Sequence, residues 1–234
     1  MHILNFLKSE FFKHNNCGWH NVLMYWSYWK LLDAYMHPGH SLVDLGCGNS
    51  PYKMFFADRF EKVLTVDWSA SPHDTDPDLI ADLNKPLPIA DCSSDCVISL
   101  SVLEHLTKPN NCVAEANRIL KPGGKFIVQV PFMWWVHEAP HDYQRWTEFG
   151  LLQLLEGNGF KIQHIIPQSG VFLTVSLKLN YVLKRFIRKN SVLRYPVAFI
   201  LSPIMFSIQL LGYIFDKIFF VKQETFGYFI VAEA

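Results

Sequence analysis

Apolar side chains recur along this chain in two periods. Between about residues 20 and 36, Val22, Tyr25, Trp26, Trp29, Leu32 and Met36 fall at helical spacing, and Pro38 and Gly39 end the run. The spacing predicts an amphipathic helix whose aromatics belong to the core, because a packed helix presents a wide apolar stripe. From Ser41 onward the pattern changes to short runs rich in Val, Ile and Leu, at residues 42–45, 63–66, 96–100 and 126–130, as expected of strands buried on both faces. A candidate third strand ends at Ile80, residues 160–166 read as a further strand, and so do residues 226–232. Helical stretches lie between them. One at 111–120 is closed by Lys121-Pro122-Gly123-Gly124, and Thr147 is placed to cap another that runs to Glu156 and ends at Gly157 and Gly159. Strands alternating with helices predict an α/β, doubly wound, mostly parallel seven-stranded sheet with an antiparallel last strand, whose ligands bind beyond the carboxyl ends of the strands.

The segment 171–223 interrupts this alternation. Lys178, Lys184, Arg185, Arg188, Lys189 and Arg194 stand among Leu177, Leu179, Val182, Leu183, Phe186 and Ile187 without a single acid, the composition of a helix lying on an anionic membrane surface. Residues 195–215 are uncharged and long enough to span a bilayer. A simple span would separate the strand at 226–232 from its sheet, and Pro196, Pro203 and Gly212 interrupt the run. A helical hairpin dipping into one leaflet, with the core left in water, is therefore expected, burial against protein being the alternative. The expected organisation is an N-terminal helical segment 1–40, a core of 41–170 with 224–234, and a hydrophobic, basic helical insertion 171–223 with peripheral membrane contact.

Composition narrows the function classes. The 234 residues carry 21 basic and 21 acidic side chains, so the whole molecule lacks the positive field that holds nucleic-acid phosphates, and no Asn-Pro-Pro-Tyr or comparable base-flipping motif follows the fourth strand. No nucleic-acid partner is expected. The five cysteines, Cys17, Cys47, Cys92, Cys96 and Cys112, are odd in number and without CxxC spacing, which argues against disulfides and zinc knuckles and for a reducing cytoplasm. Residues 1–14, with Lys8, Glu10 and Lys13, lack the pattern of a signal peptide. The expected location is cytoplasmic, peripheral at the inner face of the membrane. Nothing in the sequence bears on oligomeric state.

The chemistry gathers at strand ends. Val43-Asp44-Leu45-Gly46-Cys47-Gly48-Asn49-Ser50 follows the first strand, where glycines let the backbone turn tightly and approach a ligand. Pro51 stands where a dinucleotide fingerprint has its third glycine, against a nicotinamide cofactor. Asp67 closes the second strand, the place and type of residue that binds ribose hydroxyls, and Asp82 follows the candidate third strand, where a carboxylate can face an adenine amino group. With Thr65-Val66-Asp67, Ala81-Asp82-Leu83, Ser101-Val102-Leu103-Glu104-His105 and Arg118-Ile119-Leu120-Lys121-Pro122-Gly123-Gly124, these residues resemble the class I S-adenosylmethionine-dependent methyltransferases of the type 11 group, whose core is Rossmann-like. The resemblance implies S-adenosylmethionine as cofactor. It places Asp44 at the turn and the methionine amino group, Gly46, Cys47 and Gly48 under the methionine part, Asp67 on ribose with Trp68 beside it, Asp82 and Leu83 at adenine, and Ser99 and Ser101 on the methionine side. Glu104 and His105 offer an acid and base pair, but fall at the helix start in that pattern and read as structural. Ser50 departs from the third glycine of many relatives.

After the fifth strand, His137-Glu138-Ala139-Pro140-His141 formally matches HExxH. That motif needs a continuous helix, which Pro140 would break at a cost of about 3 kcal/mol, so no metal is expected. The run His141-Asp142-Tyr143-Gln144-Arg145-Trp146-Thr147 is similar to runs in methyltransferases encoded among bacterial surface-polysaccharide and glycosylation genes. An alcohol acceptor needs a base because its proton leaves far above neutral pH. His141 is the candidate, with Asp142 or Glu138 orienting it and Arg145 clamping substrate. A structural tie between loop and sheet is the competing role. The expected activity is O-methylation of a saccharide or lipid-linked intermediate near a membrane, the alternatives being a small lipid or quinone-like acceptor, and a methyltransferase-like scaffold without catalysis.

Overall fold

The computed structural model describes residues 22–69, 71, 76–187 and 194–234. The N-terminal charged stretch with Cys17, and Arg188 and Lys189 of the basic segment, lie outside the described residues. The chain divides into two compact units, one of Pro167–Phe226 with the residues up to Ala34, the other of Tyr35–Ile166 with Gly227–Ala234.

Helix α1 (Val22–Tyr35) comes first. The second unit is then built from β1 (Gly39–Leu45), α2 (Lys53–Ala57), β2 (Phe60–Asp67), the two-residue β3 (Leu79–Ile80), β4 (Ser94–Leu100), α3 (Pro109–Ile119), β5 (Leu120–Pro131), α4 (Glu148–Glu156), β6 (Lys161–Pro167) and, after the insertion, β7 (Gly227–Glu233). The strands form one sheet in the order β3-β2-β1-β4-β5-β7-β6. Pairing is parallel from β3 through β5, and β7 lies antiparallel to β5. The expected α/β sheet of seven mostly parallel strands is thus found. The order reverses between β1 and β4, the switch point at which such sheets take their ligands.

The runs of Val, Ile and Leu account for this arrangement. Leu45, Val66, Val97, Phe126, Val128 and Ile230 are all but inaccessible and form one core with Cys112, Val113, Ala116 and Ile119 of α3. At the opposite end of the sheet Asp95 accepts from His40 N, Ser41 N and Lys121 Nζ (3.0, 2.8 and 2.6 Å), fastening β1 to β4. Thr147 caps α4, its hydroxyl accepting from Gly150 N at 3.1 Å.

Local detail departs from the sequence pattern in two places. Residues 121–124 do not separate helix from strand. β5 already pairs at Leu120 with Ser94, the register shifts, and pairing resumes at Lys125 opposite Cys96, with Gly123 at φ +79 turning the looped-out excursion.

The other departure lies in the helical unit. α5 (Val171–Lys184) packs against α6 (Arg194–Ile218), and α6 runs unbroken through Pro196, Pro203 and Gly212. Pro196 sits in the first turn, where its missing N–H is no loss. Ser202 and Ser207 hydroxyls bond the carbonyls of Ala198 and Pro203 (2.6 and 2.8 Å) around the internal proline. Gly212 is a contact point rather than a breaker, since a Cβ there would lie 2.1 Å from Ser176 Oγ and 2.8 Å from Phe172 O on α5. Asp216, also buried, accepts from Gly170, Phe172 and Leu173 N–H groups (2.7, 3.0 and 3.3 Å) and so caps α5 from the far end of α6.

Candidate active site

The carboxyl ends of β1, β2 and β4 meet in a turn whose backbone is fixed from two sides. Gly46 N and Cys47 N both donate to Val66 O (2.8 and 3.0 Å), carrying the β1–β2 ladder into the loop. Gly46, at φ +80, lies so close to Val102 that a Cβ would meet Cγ2 at 2.4 Å. Gly48 follows at φ +51 and its N–H donates to Asp67 Oδ2 at 2.8 Å, while Asp67 Oδ1 accepts from Trp68 N at 2.7 Å. Ser50 adopts the left-handed conformation at φ +47 without a third glycine, its N–H closing the turn on Cys47 O at 2.8 Å.

Asp44 is the buried charge of this turn, paired in register with Thr65 and Ile98. Burial, with Asp67 adding a like charge, pushes its carboxyl up to about 7. The Cys47 thiol is pushed up to about 11 by burial, so at neutral pH it is an inert lining group. Ser99, at the end of β4, is fully buried, and its Oγ has no hydrogen-bond partner among the described residues. Ser101 turns the chain at φ +58 and donates to Gln129 Oε1 at 2.5 Å. Leu83 is buried, whereas Asp82 spends Oδ1 on Asn84 N and Nδ2 (3.0 and 2.9 Å) and lies 3.2 Å from Lys85 Nζ. A buried acid held near half-ionisation, an unsatisfied hydroxyl and a turn that excludes side chains suit a ligand bearing an ammonium group and hydroxyls. The chain's residues therefore fit S-adenosylmethionine.

Beyond β5 the chain forms a long loop, tied to the 3-10 turn Leu103–His105 by Tyr143 N donating to Glu104 O (2.8 Å) and Gln144 Nε2 donating to Leu106 O (3.0 Å). His141 is exposed, its ring edge-on to Trp68 at 5.2 Å and its Nδ1 2.9 Å from Tyr143 Oη. The candidate base thus stands beside the residue that follows Asp67. Asp142 is not its orienting partner: it forms a two-pronged pair with Arg145 (2.5 and 2.7 Å), accepts from His137 N at 2.8 Å and lies 3.2 Å from His137 Nδ1. Burial alone would raise Asp142, but Arg145 and the His137 N–H outweigh it and hold the carboxyl far below the usual range. Arg145 also donates to the carbonyls of Trp135 and Gln144 (both 2.7 Å), so its guanidinium shapes the loop rather than waiting for a substrate.

One group of this site was missed in the sequence. Glu104 is fully buried, burial pushes its carboxyl up to about 8, and His105 Nε2 and His137 Nε2 approach Oε1 at 3.7 and 4.0 Å. Glu104 and His105 read as a helix start because their partner His137 lies a strand and a helix away, and the formal HExxH match drew His137 toward Glu138 and His141 instead.

The stretch that carries the glycine turn between Asp44 and Asp67 matches known proteins. Residues 43–128 match the family model of the methyltransferase domain. Residues 43–128 thus carry a methyltransferase domain, and S-adenosylmethionine-dependent methyltransferases are among the chain's relatives. The methyltransferase domain is similar to a protein of Mycolicibacterium smegmatis named "Probable S-adenosylmethionine-dependent methyltransferase", 27% identical over 59% of this chain and 58% of that one. It is also similar to the demethylmenaquinone methyltransferase of Renibacterium salmoninarum, 32% identical over 39% of this chain and 41% of that one. The chain spans less than two thirds of the length of these relatives. Among solved structures, the S-adenosylmethionine-dependent methyltransferase from Mesorhizobium loti shares the fold at a TM-score of 0.56, with 17% identity over 89% of this chain and 98% of that one. The [4+2]-cyclase SpnF shares it at a TM-score of 0.54, with 18% identity over 87% of this chain and 79% of that one.

Proposed function

We propose that this chain is an S-adenosylmethionine-dependent O-methyltransferase whose acceptor is a hydroxyl of a saccharide or lipid-linked intermediate. The observation that carries the reading is the exposed His141 held against Trp68, next to Asp67, because a base within reach of the cofactor end of the sheet is what an alcohol acceptor requires. S-adenosylmethionine supplies a methyl group activated on a sulfonium. The chain's residues do the rest: Asp44 and Ser99 face the amino acid end, Asp67 takes the ribose, Leu83 and Asp82 border the adenine, and His141 accepts the hydroxyl proton. Trp134 and Trp135, stacked at 4.0 Å, and Tyr143 give the acceptor loop flat apolar faces of the kind that pack on the C–H face of a sugar ring.

The helical unit supports acceptor delivery at an anionic membrane surface. α6 is the one helix among the described residues long and apolar enough to cross a membrane, by length and composition. Phe172, Val175, Leu179 and Val182 of α5, and Phe199, Ile200, Leu211 and Ile214 of α6, are exposed, with Lys178, Arg185 and Lys217 interspersed. A quinone-like acceptor is the second reading, favoured by the similarity to the demethylmenaquinone methyltransferase.

The deciding experiment is calorimetric titration with S-adenosylmethionine and its demethylated product, followed by methyl-transfer assays on the two acceptor classes. Micromolar binding is expected, and Asp67→Ala should weaken it at least tenfold without loss of fold; unchanged affinity would remove the ribose assignment. Binding without turnover on any acceptor would point to the non-catalytic scaffold.

A further inference from the structure

Glu104, His105 and His137 bring a buried carboxyl and two imidazole nitrogens against one another. His105 Nδ1 lies 2.6 Å from His141 O, a carbonyl that only accepts, so that nitrogen carries the proton and Nε2 is a lone pair. His137 Nδ1 faces Asp142 Oδ2 at 3.2 Å and Trp135 O at 3.3 Å, both nearer than the Arg145 Nη2 donor at 3.5 Å, so the closer acceptors place its proton there too and leave Nε2 bare. Both Nε2 atoms then turn toward Glu104, at 3.7 and 4.0 Å from Oε1, and neither Glu104 oxygen accepts a hydrogen bond from another residue. A fully buried carboxyl with no partner for either oxygen, set beside two imidazole nitrogens, is an expensive arrangement. One proton on Glu104 satisfies one imidazole and not the other. One cation satisfies all three.

The geometry points to a divalent transition-metal site formed by Glu104, His105 and His137. The three ligand atoms lie within 4.8 Å of one another, and closing on an ion at roughly 2.0–2.2 Å per ligand needs only side-chain adjustment. Two imidazoles and a carboxylate suit zinc and its neighbours rather than magnesium or calcium, and three protein ligands leave a position open, as catalytic sites do. The groups behind the ligands are in place. Asp142 holds His137 and is itself gripped by Arg145, and the His141 carbonyl holds His105. Of the HExxH run only His137 takes part, and its partners come from the turn after β4. The remaining position would suit an acceptor hydroxyl or water, whose proton the ion would loosen; this last step rests on the methyltransferase reading, while the site itself does not.

The test uses the full chain after treatment with a chelator. Cobalt(II) is followed by visible absorption and zinc(II) by calorimetry, each alone, with binding of S-adenosylmethionine measured in parallel. One equivalent of ion at micromolar affinity or better is expected. Glu104→Gln and His137→Ala should weaken it at least a hundredfold, and Asp142→Asn roughly 10- to 100-fold. His40→Ala, far along β1, should leave it unchanged. Glu104→Gln keeps shape and removes a buried charge, so circular dichroism should report a folded variant. Failure of the folded wild-type chain to take up either ion would overturn the site and leave a shared proton, as would uptake that Glu104→Gln and His137→Ala do not alter. Ion uptake without S-adenosylmethionine binding would instead leave the site standing and bring down the methyltransferase reading.

Discussion

Asp44 shows how one carboxyl group can report on cofactor capture. Its ordinary value is 3.8 and burial raises it to about 7, so the folded chain prefers the neutral acid. The stability this contributes is fully present below about pH 4 and is lost as the pH rises through 7. A bound ammonium group favours the ionised form instead. Cofactor binding near pH 6.5 should therefore release protons, seen as a binding enthalpy that varies with the ionisation heat of the buffer, and Asp44→Asn should abolish that dependence; a buffer-independent wild type would separate Asp44 from the amino group. At His141 the expectation is kinetic. His141→Ala should lower turnover about 100-fold or more with cofactor affinity unchanged, the range of general-base catalysis, and full activity would return the loop to a structural role. That Asp44, Gly46, Gly48 and Asp67 meet in one turn was legible because the pattern is local, a fixed spacing at a strand end. The cluster around Glu104 was not, because burial and long-range pairing give a carboxylate its character and neither is written in neighbouring letters.

Helices and strands were legible wherever a period of hydrophobic residues ran unbroken. Strands β1, β2, β4, β5, β6 and β7 all fall on the expected runs, and the capping role of Thr147 follows from its place before an apolar stretch. The excursion at residues 121–124 was missed because Lys-Pro-Gly-Gly looks alike whether it ends a helix or bulges a strand. Gly212 was misjudged for the opposite reason, since a glycine in a helix weakens it alone and improves it where a second helix must come close. Gly212→Val should accordingly lower stability to urea by about 1–3 kcal/mol through overpacking against Ser176 and Phe172. An unchanged denaturation midpoint would mean that α5 and α6 do not pack as closely as described.

For the molecule as a whole, the unsettled question is what covers the exposed apolar faces of α5 and α6. The chain should sediment with vesicles containing anionic lipid and much less with neutral ones, and rising salt should weaken it. Lys184→Glu with Arg185→Glu should reduce that binding at least tenfold, at about 1 kcal/mol for each basic group lost. Binding indifferent to lipid charge, or none at all, would assign these faces to protein contact. Charge and composition argue against a nucleic-acid surface, but a basic, greasy segment reads the same whether lipid or protein lies against it.

The position of β7 has a consequence for biosynthesis. It lies between β5 and β6 yet is made after α5 and α6. As the chain leaves the ribosome, β6 has no neighbour to pair with and the β5 edge stays open until the whole hydrophobic hairpin has emerged. The apolar faces of α5 and α6 are thus exposed while the sheet is still incomplete, so the order of translation leaves the hairpin in need of cover before the sheet that carries the glycine turn can close.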